Sequence, residues 1–236
     1  MVPKIIHCCW FGGPKTRLAQ KCRASWARFA ADWEVREFVL PPEPPAFVAD
    51  ALKAKKWAVV SDWARMRALY DTGGVYFDCD VELVKPFAPP EGEWVSGEWT
   101  ALGGVWMNPG SGLALEKGSA IARHMLEAYA RTAFDPARQM MPWINARLAE
   151  TADGLKVLDP EILSPIDTNG RLHLTDRTLG IHHYALSWGG PVRKCLQWLS
   201  WHGCRGLVDF AVRVKRGLRT QFSTSKSPAP ERRMPS

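Results

Sequence analysis

Two spacings of apolar residues take turns along this chain, short unbroken runs and stripes repeating every three or four positions. Residues 4–11 hold the run Ile5-Ile6-His7-Cys8-Cys9-Trp10-Phe11, stopped by Gly12-Gly13-Pro14, which predicts a short strand and a turn. Leu18, Cys22, Trp26 and Phe29 recur at helical spacing, so 17–31 predicts a helix. A second strand is expected over 34–39. Pro41, Pro42, Pro44 and Pro45 force a loop, and 47–54 predicts a short helix. A longer helix is expected over 59–71, with Ser61 as its N-cap and Gly73-Gly74 as its end.

The unbroken run Val75-Tyr76-Phe77 predicts a buried strand, and Val81–Val84 another. Residues 99–107 are expected to supply one strand or two, 118–132 and 141–149 helices, 155–165 a strand and loop, and 180–188 a last strand and turn. Strands alternating with helices predict an α/β domain with a mostly parallel sheet.

Beyond residue 191 the pattern changes. Val192, Leu196, Leu199, Leu207, Phe210, Val214 and Leu218 are interleaved with Arg193, Lys194, Arg205, Arg213, Lys215, Arg216 and Arg219. This predicts a basic amphipathic helix over 192–219, followed by a disordered tail over 220–236. Charge sharpens the division. The 236-residue chain has a formal net charge of +7. Residues 1–191 hold 21 basic and 22 acidic side chains, while 192–236 hold 10 basic and 2 acidic. A neutral body with a basic end fits an anionic membrane surface at that end and does not predict a nucleic-acid partner. The other reading of the segment is a helix docked on the body with a solvated basic face.

The six cysteines form no C-x-x-C pair, which argues against a zinc ribbon or thioredoxin-type site and for a reducing compartment. No secretory signal and no apolar stretch of about 20 residues is found, so the expected location is cytoplasmic.

The chemistry concentrates in one segment. Asp78 and Asp80 follow the apolar run Val75–Phe77, which places two carboxylates at the carboxyl end of a buried strand. That edge of an open α/β sheet binds ligands, and hard oxygens two residues apart suit Mg²⁺ or Mn²⁺ bridging to a phosphate. A D-x-D pair alone is also an ordinary solvated turn. Upstream, Asp62 and Arg65 are three apart on one helix face. They read either as a surface ion pair of little worth or as an acceptor and a donor aimed at sugar hydroxyls.

Ser61-Asp62-x-x-Arg65, Gly73-Gly74-Val75-Tyr76-x-Asp78-x-Asp80-Val81 and His182-His183-Tyr184-x-x-Ser187-Trp188, with the opening Val2–Gly13, resemble the motifs of glycosyltransferase family 32, in the same order. The resemblance covers roughly residues 2–190 and implies a GT-A fold over 1–191, a Rossmann-like domain that binds a nucleotide-sugar and a divalent cation, Mn²⁺ or Mg²⁺. It implies a retaining transferase using a UDP-sugar or GDP-mannose, with a glycan or lipid-linked glycan of a bacterial surface polysaccharide as acceptor. Residue by residue, Trp10 matches the aromatic stacked on the base. Asp62 and Arg65 match donor-sugar contacts, Tyr76 matches a residue near the sugar and reads equally as core, and Asp78 matches the residue that bridges ribose, sugar and sometimes metal. Asp80 matches the direct metal ligand, His182 (or His183, by one slip in register) the late metal or pyrophosphate contact, and Ser187 and Trp188 the groups that hold the diphosphate. Glu98, Trp99, Trp106 and Asn108 are candidates for an acceptor cleft.

Two rival readings use parts of the same pattern. A haloacid-dehalogenase-type phosphatase also uses D-x-D, but it wants Thr, Ser or Val two residues after the second Asp, where this chain has Glu82. A non-catalytic membrane- or phosphate-binding module would use the basic end and leave Asp62, Arg65, Asp78 and Asp80 idle.

Overall fold

Strand β1 (Ile5–Cys8) lies between two parallel neighbours, β2 (Glu34–Glu37) and β3 (Gly74–Tyr76). Helix α1 (Arg17–Phe29) makes the crossover to β2, and helices α2 (Ala46–Lys53) and α3 (Trp57–Thr72) make the crossover to β3 on the other side. The strand order therefore reverses at β1, and the crevice beyond the carboxyl ends of β1 and β3 is the topological switch point. The computed structural model describes residues 1–151 and 154–185, with Cys195, Trp198 and Leu199. Met1–Trp188 forms one unit, described below, and Gly189–Ser236 a second. Ser187, Trp188 and nearly all of the predicted basic helix and tail lie outside the described residues.

The sheet continues through β7 (Leu113–Leu115), β5 (Trp94–Trp99) and β6 (Val105–Met107), with β8 (Lys156–Leu158) pairing with β5. The expectation of a mostly parallel sheet is corrected here. β7 runs antiparallel to β3 and β5, and β6 antiparallel to β5. Parallel pairs need a crossover of a dozen residues or more, and β5 and β6 are joined only by the short loop 100–104. Strand β4 (Val81–Leu83) leaves the main sheet and pairs antiparallel with β9 (Gly180–His182).

The side chains of these strands alternate between two cores. Ile6, Cys8, Val75, Phe77 and Ala114 pack with Trp26 of α1 and with Ile162 and Leu163 of α6 (Pro160–Leu163). Tyr76, Leu113 and Leu115 face α2, α3, α4 (Ala120–Arg131) and α5 (Met140–Ala149). Thr16 caps α1 by accepting from the Ala19 amide at 3.2 Å. Helix α3 starts at Trp57 with Lys56 as its cap, so Ser61 sits inside the helix and is not the N-cap. The apolar run Trp57–Val60 is itself helical, which moves the start back one turn.

Gly73 and Gly74 turn α3 into β3 with φ of 69° and 120°. A Cβ on Gly74 would stand 2.5 Å from the Ile5 carbonyl oxygen, so the close approach of β3 to β1 needs glycine there. Gly74→Ala should lower stability by about 3 kcal/mol, combining left-handed strain with a backbone clash. A urea unfolding midpoint unchanged from wild type would contradict this reading of the turn.

Candidate functional site

Everything at the switch point hangs from the ends of four elements. β1 runs into Trp10–Gly13, where the Trp10 indole N–H donates to the Gly13 carbonyl at 2.8 Å and Trp57 packs over Gly12. β3 runs into the turn Asp78-Cys79-Asp80, closed by the Val81 amide bonding the Asp78 carbonyl at 3.0 Å. The tight turn 108–111 precedes β7, and β9 arrives antiparallel to β4 with His182 opposite Val81. Trp10 remains partly exposed at this edge.

Beneath the D-x-D turn lies a buried charge network. Arg65 Nη2 is 2.9 Å from Asp62 Oδ1 and 3.3 Å from Asp78 Oδ1, and its guanidinium sits 4.7 Å from the centre of the Tyr76 ring. The Tyr76 hydroxyl donates to the same Asp78 Oδ1 at 2.8 Å. Asp62 and Arg65 are only 8% and 4% exposed, so the pair is not the surface ion pair of little worth. Burial pushes the Asp62 carboxyl up to about 6, although Arg65 opposes the shift. Tyr76 is fully buried, and what it presents to the site is its hydroxyl on Asp78.

With Oδ1 occupied, the other Asp78 oxygen rests over Gly110. A Cβ on Gly110 would meet Oδ2 at 2.3 Å, and the Asp78 amide bonds the Gly110 carbonyl at 2.8 Å. Gly110 is thus a seat for the first aspartate.

Asp78, Asp80 and His182 each offer one ligand atom, and these atoms lie within 4.8 Å of one another. Two carboxylate oxygens and one imidazole nitrogen form a donor set that fits Mn²⁺ or Mg²⁺ and leaves positions for substrate oxygens. Asp80 is oriented by the Ala185 amide, which donates to Oδ2 at 2.8 Å. His182 is oriented by Ser111 Oγ, 2.7 Å from Nδ1, which leaves Nε2 toward Asp80 at 3.3 Å. The alternative ligand, His183, faces away and places its Nε2 2.8 Å from Glu82, beside Lys21.

Burial alone would lower the His182 pKa, but the Asp80 carboxylate outweighs it and holds His182 above 6.5. Burial would likewise raise Asp80, and His182 with the Ala185 amide takes it down to about 2. The sign follows for the metal-free protein. The raised His182 value contributes stability that is complete below its unfolded pKa and is lost as pH rises through the folded one. The urea midpoint in a chelator should therefore fall as pH rises above about 6.5, and fall less in His182→Gln. Equal slopes in the two proteins would contradict the Asp80–His182 pairing.

Sequence reasoning left Gly110 and Ser111 unassigned, and it gave Tyr184 no role. The first two sit in Asn108-Pro109-Gly110-Ser111, a turn signal that marks a loop without saying what the loop faces. Tyr184 carries a φ of 49°, rare for a residue with a side chain, and its ring stacks on His182 at 4.1 Å.

Residues 18–98 match the family model described as "Glycosyltransferase sugar-binding region containing DXD motif". The match spans Asp62, Arg65, Tyr76, Asp78 and Asp80, the residues of the buried network and the turn. The chain carries a D-x-D glycosyltransferase region. Glycosyl transfer is the activity class that goes with that region, and the mixed α/β sheet around it is of GT-A type. Among solved structures, the chain is similar to the PaToxG glycosyltransferase, with 18% identity and a TM-score of 0.50 over 64% of this chain and 70% of that one. At that identity the likeness speaks for the fold. It is also similar to a glycosyltransferase involved in the glycosylation of the major capsid of PBCV-1, at 13% identity and a TM-score of 0.48, covering 80% and 96% of the two chains. No curated protein sequence matches this chain significantly.

Proposed function

We propose that the chain is a retaining, metal-dependent glycosyltransferase that moves a sugar from a UDP-sugar or GDP-mannose to a glycan or lipid-linked glycan acceptor. The observation that carries this reading is the convergence of Asp78, Asp80 and His182 at the carboxyl edge of the switch point. Those three residues would hold Mn²⁺ or Mg²⁺. Bound there, the cation supplies charge stabilisation for the departing diphosphate.

The chain's own groups do the rest. Trp10, partly exposed where β1 ends, offers an indole face to the base. Arg65, held by Asp62, fixes Asp78 through Oδ1 and leaves its other oxygen for the donor and cation. Asp62 and Arg65 themselves lie where the resemblance puts donor-sugar contacts, with Arg65 Nε buried and unpaired among the described residues. Ser187 and Trp188 are assigned to the diphosphate on the resemblance alone. Charge builds at the anomeric carbon as the C1–O bond breaks, and attack on the same face preserves its configuration.

A screen of UDP- and GDP-sugars by nucleotide release, with and without Mn²⁺, tests the assignment. At least one donor should release nucleotide only when the cation is present. Failure of every donor would leave a binding module as the reading.

The location belongs to the same proposal. Cys8, Cys9, Cys22, Cys79 and Cys195 are free thiols, in keeping with a reducing cytoplasm. No helix among the described residues is long and apolar enough to cross a membrane. The basic interleaved pattern of 192–219 supports peripheral attachment to an anionic inner leaflet, where lipid-linked acceptors lie. Deleting 192–236 should release the protein from vesicles containing phosphatidylglycerol while donor binding survives. Retained vesicle binding would refute the attachment.

A further inference from the structure

Glu98 is the penultimate residue of β5, opposite Trp106 of β6, and none of the contacts described so far involves it. It is half-buried, and among the described residues no Lys or Arg pairs with it. Its surroundings are nevertheless ordered with care. Asn108 is 7% exposed and donates through Nδ2 to Glu98 Oε2 at 2.7 Å. Asn108 Oδ1 accepts from the amides of Gly110 and Ser111 at 3.0 and 3.3 Å, which fixes the amide so that its NH₂ faces the carboxylate. The Tyr184 hydroxyl donates to the same Oε2 at 3.2 Å, from a backbone held at a φ of 49°. Left-handed strain at a tyrosine is costly and persists only where the surroundings impose it.

Both bonds fall on one oxygen. Glu98 is thereby anchored through Oε2, while Oε1 takes no hydrogen bond from the described side chains. The anchoring chain runs on through Ser111 to His182 Nδ1, so the carboxylate is built on the same frame as the cation site. A carboxylate oxygen accepts hydrogen bonds, so what it can hold is a donor such as a hydroxyl. The partly exposed indole of Trp106 (43%) stands on the neighbouring strand, a surface suited to the apolar face of a sugar.

We propose that Glu98 is the acceptor-binding carboxylate of this enzyme. Its free oxygen accepts the hydrogen bond of the attacking hydroxyl, whether that of a glycan or of water, and orients it. The inference rests on the glycosyltransferase reading above. Glu98→Gln is the test, because an amide keeps the volume, turns its carbonyl oxygen to Asn108 and Tyr184, and presents NH₂ where the hydroxyl must donate.

With a donor on which wild type is active, hydrolysis of that donor to free sugar is followed, water being the acceptor. Glu98→Gln should lower kcat about a hundredfold, the scale for a misplaced reactant, while the donor KM stays within about twofold. Calorimetry with UDP or GDP plus Mn²⁺ should give the wild-type affinity. Wild-type kcat in the variant would overturn the role of Glu98 alone. Loss of nucleotide binding would overturn it too, making Glu98 a strut for Asn108 and His182. If wild type releases nucleotide from no donor, the glycosyltransferase reading itself falls, a result distinct from either.

Discussion

Asp80→Asn should abolish cation-dependent turnover of the nucleotide-sugar while leaving the fold in place. The carboxamide can still accept from the Ala185 amide, now 2.8 Å from Oδ2, and its NH₂ can face His182. What disappears is one negative charge and one hard oxygen from a set of three ligand atoms within 4.8 Å. Charge stabilisation of a leaving diphosphate is worth several kcal/mol. A loss of about 4 kcal/mol corresponds to roughly a thousandfold in rate. The far-ultraviolet spectrum should match wild type. Near-normal transfer by Asp80→Asn, or by Asp80→Ala, would sink the assignment of this residue.

The largest effect on stability is expected at Arg65. Its guanidinium stands between Asp62 and Asp78 and over the Tyr76 ring, at 5% side-chain exposure. Removing one partner of a buried ion pair costs about 3–5 kcal/mol, because the remaining charge loses its compensation. In a domain of this size that lowers Tm by roughly 10 °C. Arg65→Met should show it, and should also lose activity as Asp78 Oδ1 loses its clamp.

The pH dependence carries a sign. The Asp62 carboxyl is already raised to about 6 by burial, and without Arg65 it rises further. The folded variant then holds a proton that the unfolded chain releases, so its deficit should shrink as pH falls toward 5 and grow above 7. Asp62→Leu combined with Arg65→Met should recover part of the stability, since apolar replacements remove the stranded charge, but none of the activity. A melting temperature for Arg65→Met within two or three degrees of wild type would contradict the account of the network.

The pattern of apolar residues made the helices and the parallel centre of the sheet legible. Trp26 and Cys22 mark the buried face of α1, and Gly73-Gly74 marks the end of α3. It did not reveal β7, a three-residue strand inside a glycine- and serine-rich stretch, and so the antiparallel half of the sheet was missed. Short strands carry too few residues for a period of two to show.

The candidate site divides in the same way. Asp78 and Asp80 are visible because they follow an apolar run, and Asp62 and Arg65 because they are three apart. That the second pair is buried beneath the first depends on the αβ turn and could not be seen in spacing. Their spacing offers a surface ion pair or a sugar contact and does not show the third possibility, a clamp on Asp78. The choice between His182 and His183 turned on the register of β9 against β4, which sequence periodicity leaves free by one residue. Gly110 through its backbone and Ser111 through its hydroxyl act on side chains some 30 to 70 positions away in the chain, a relation no local pattern encodes.

In the proposed enzyme Asp78, Asp80 and His182 join a cation to a nucleotide-sugar. Thermal unfolding of the full chain with UDP- and GDP-sugars, with Mn²⁺ or with a chelator, tests it most directly. At a hundredfold excess over Kd, ligand binding adds about 2.7 kcal/mol. Tm should rise by several degrees for at least one donor with Mn²⁺, and should not rise with the chelator or in Asp80→Asn. A donor-induced rise that survives both the chelator and the substitution would contradict it.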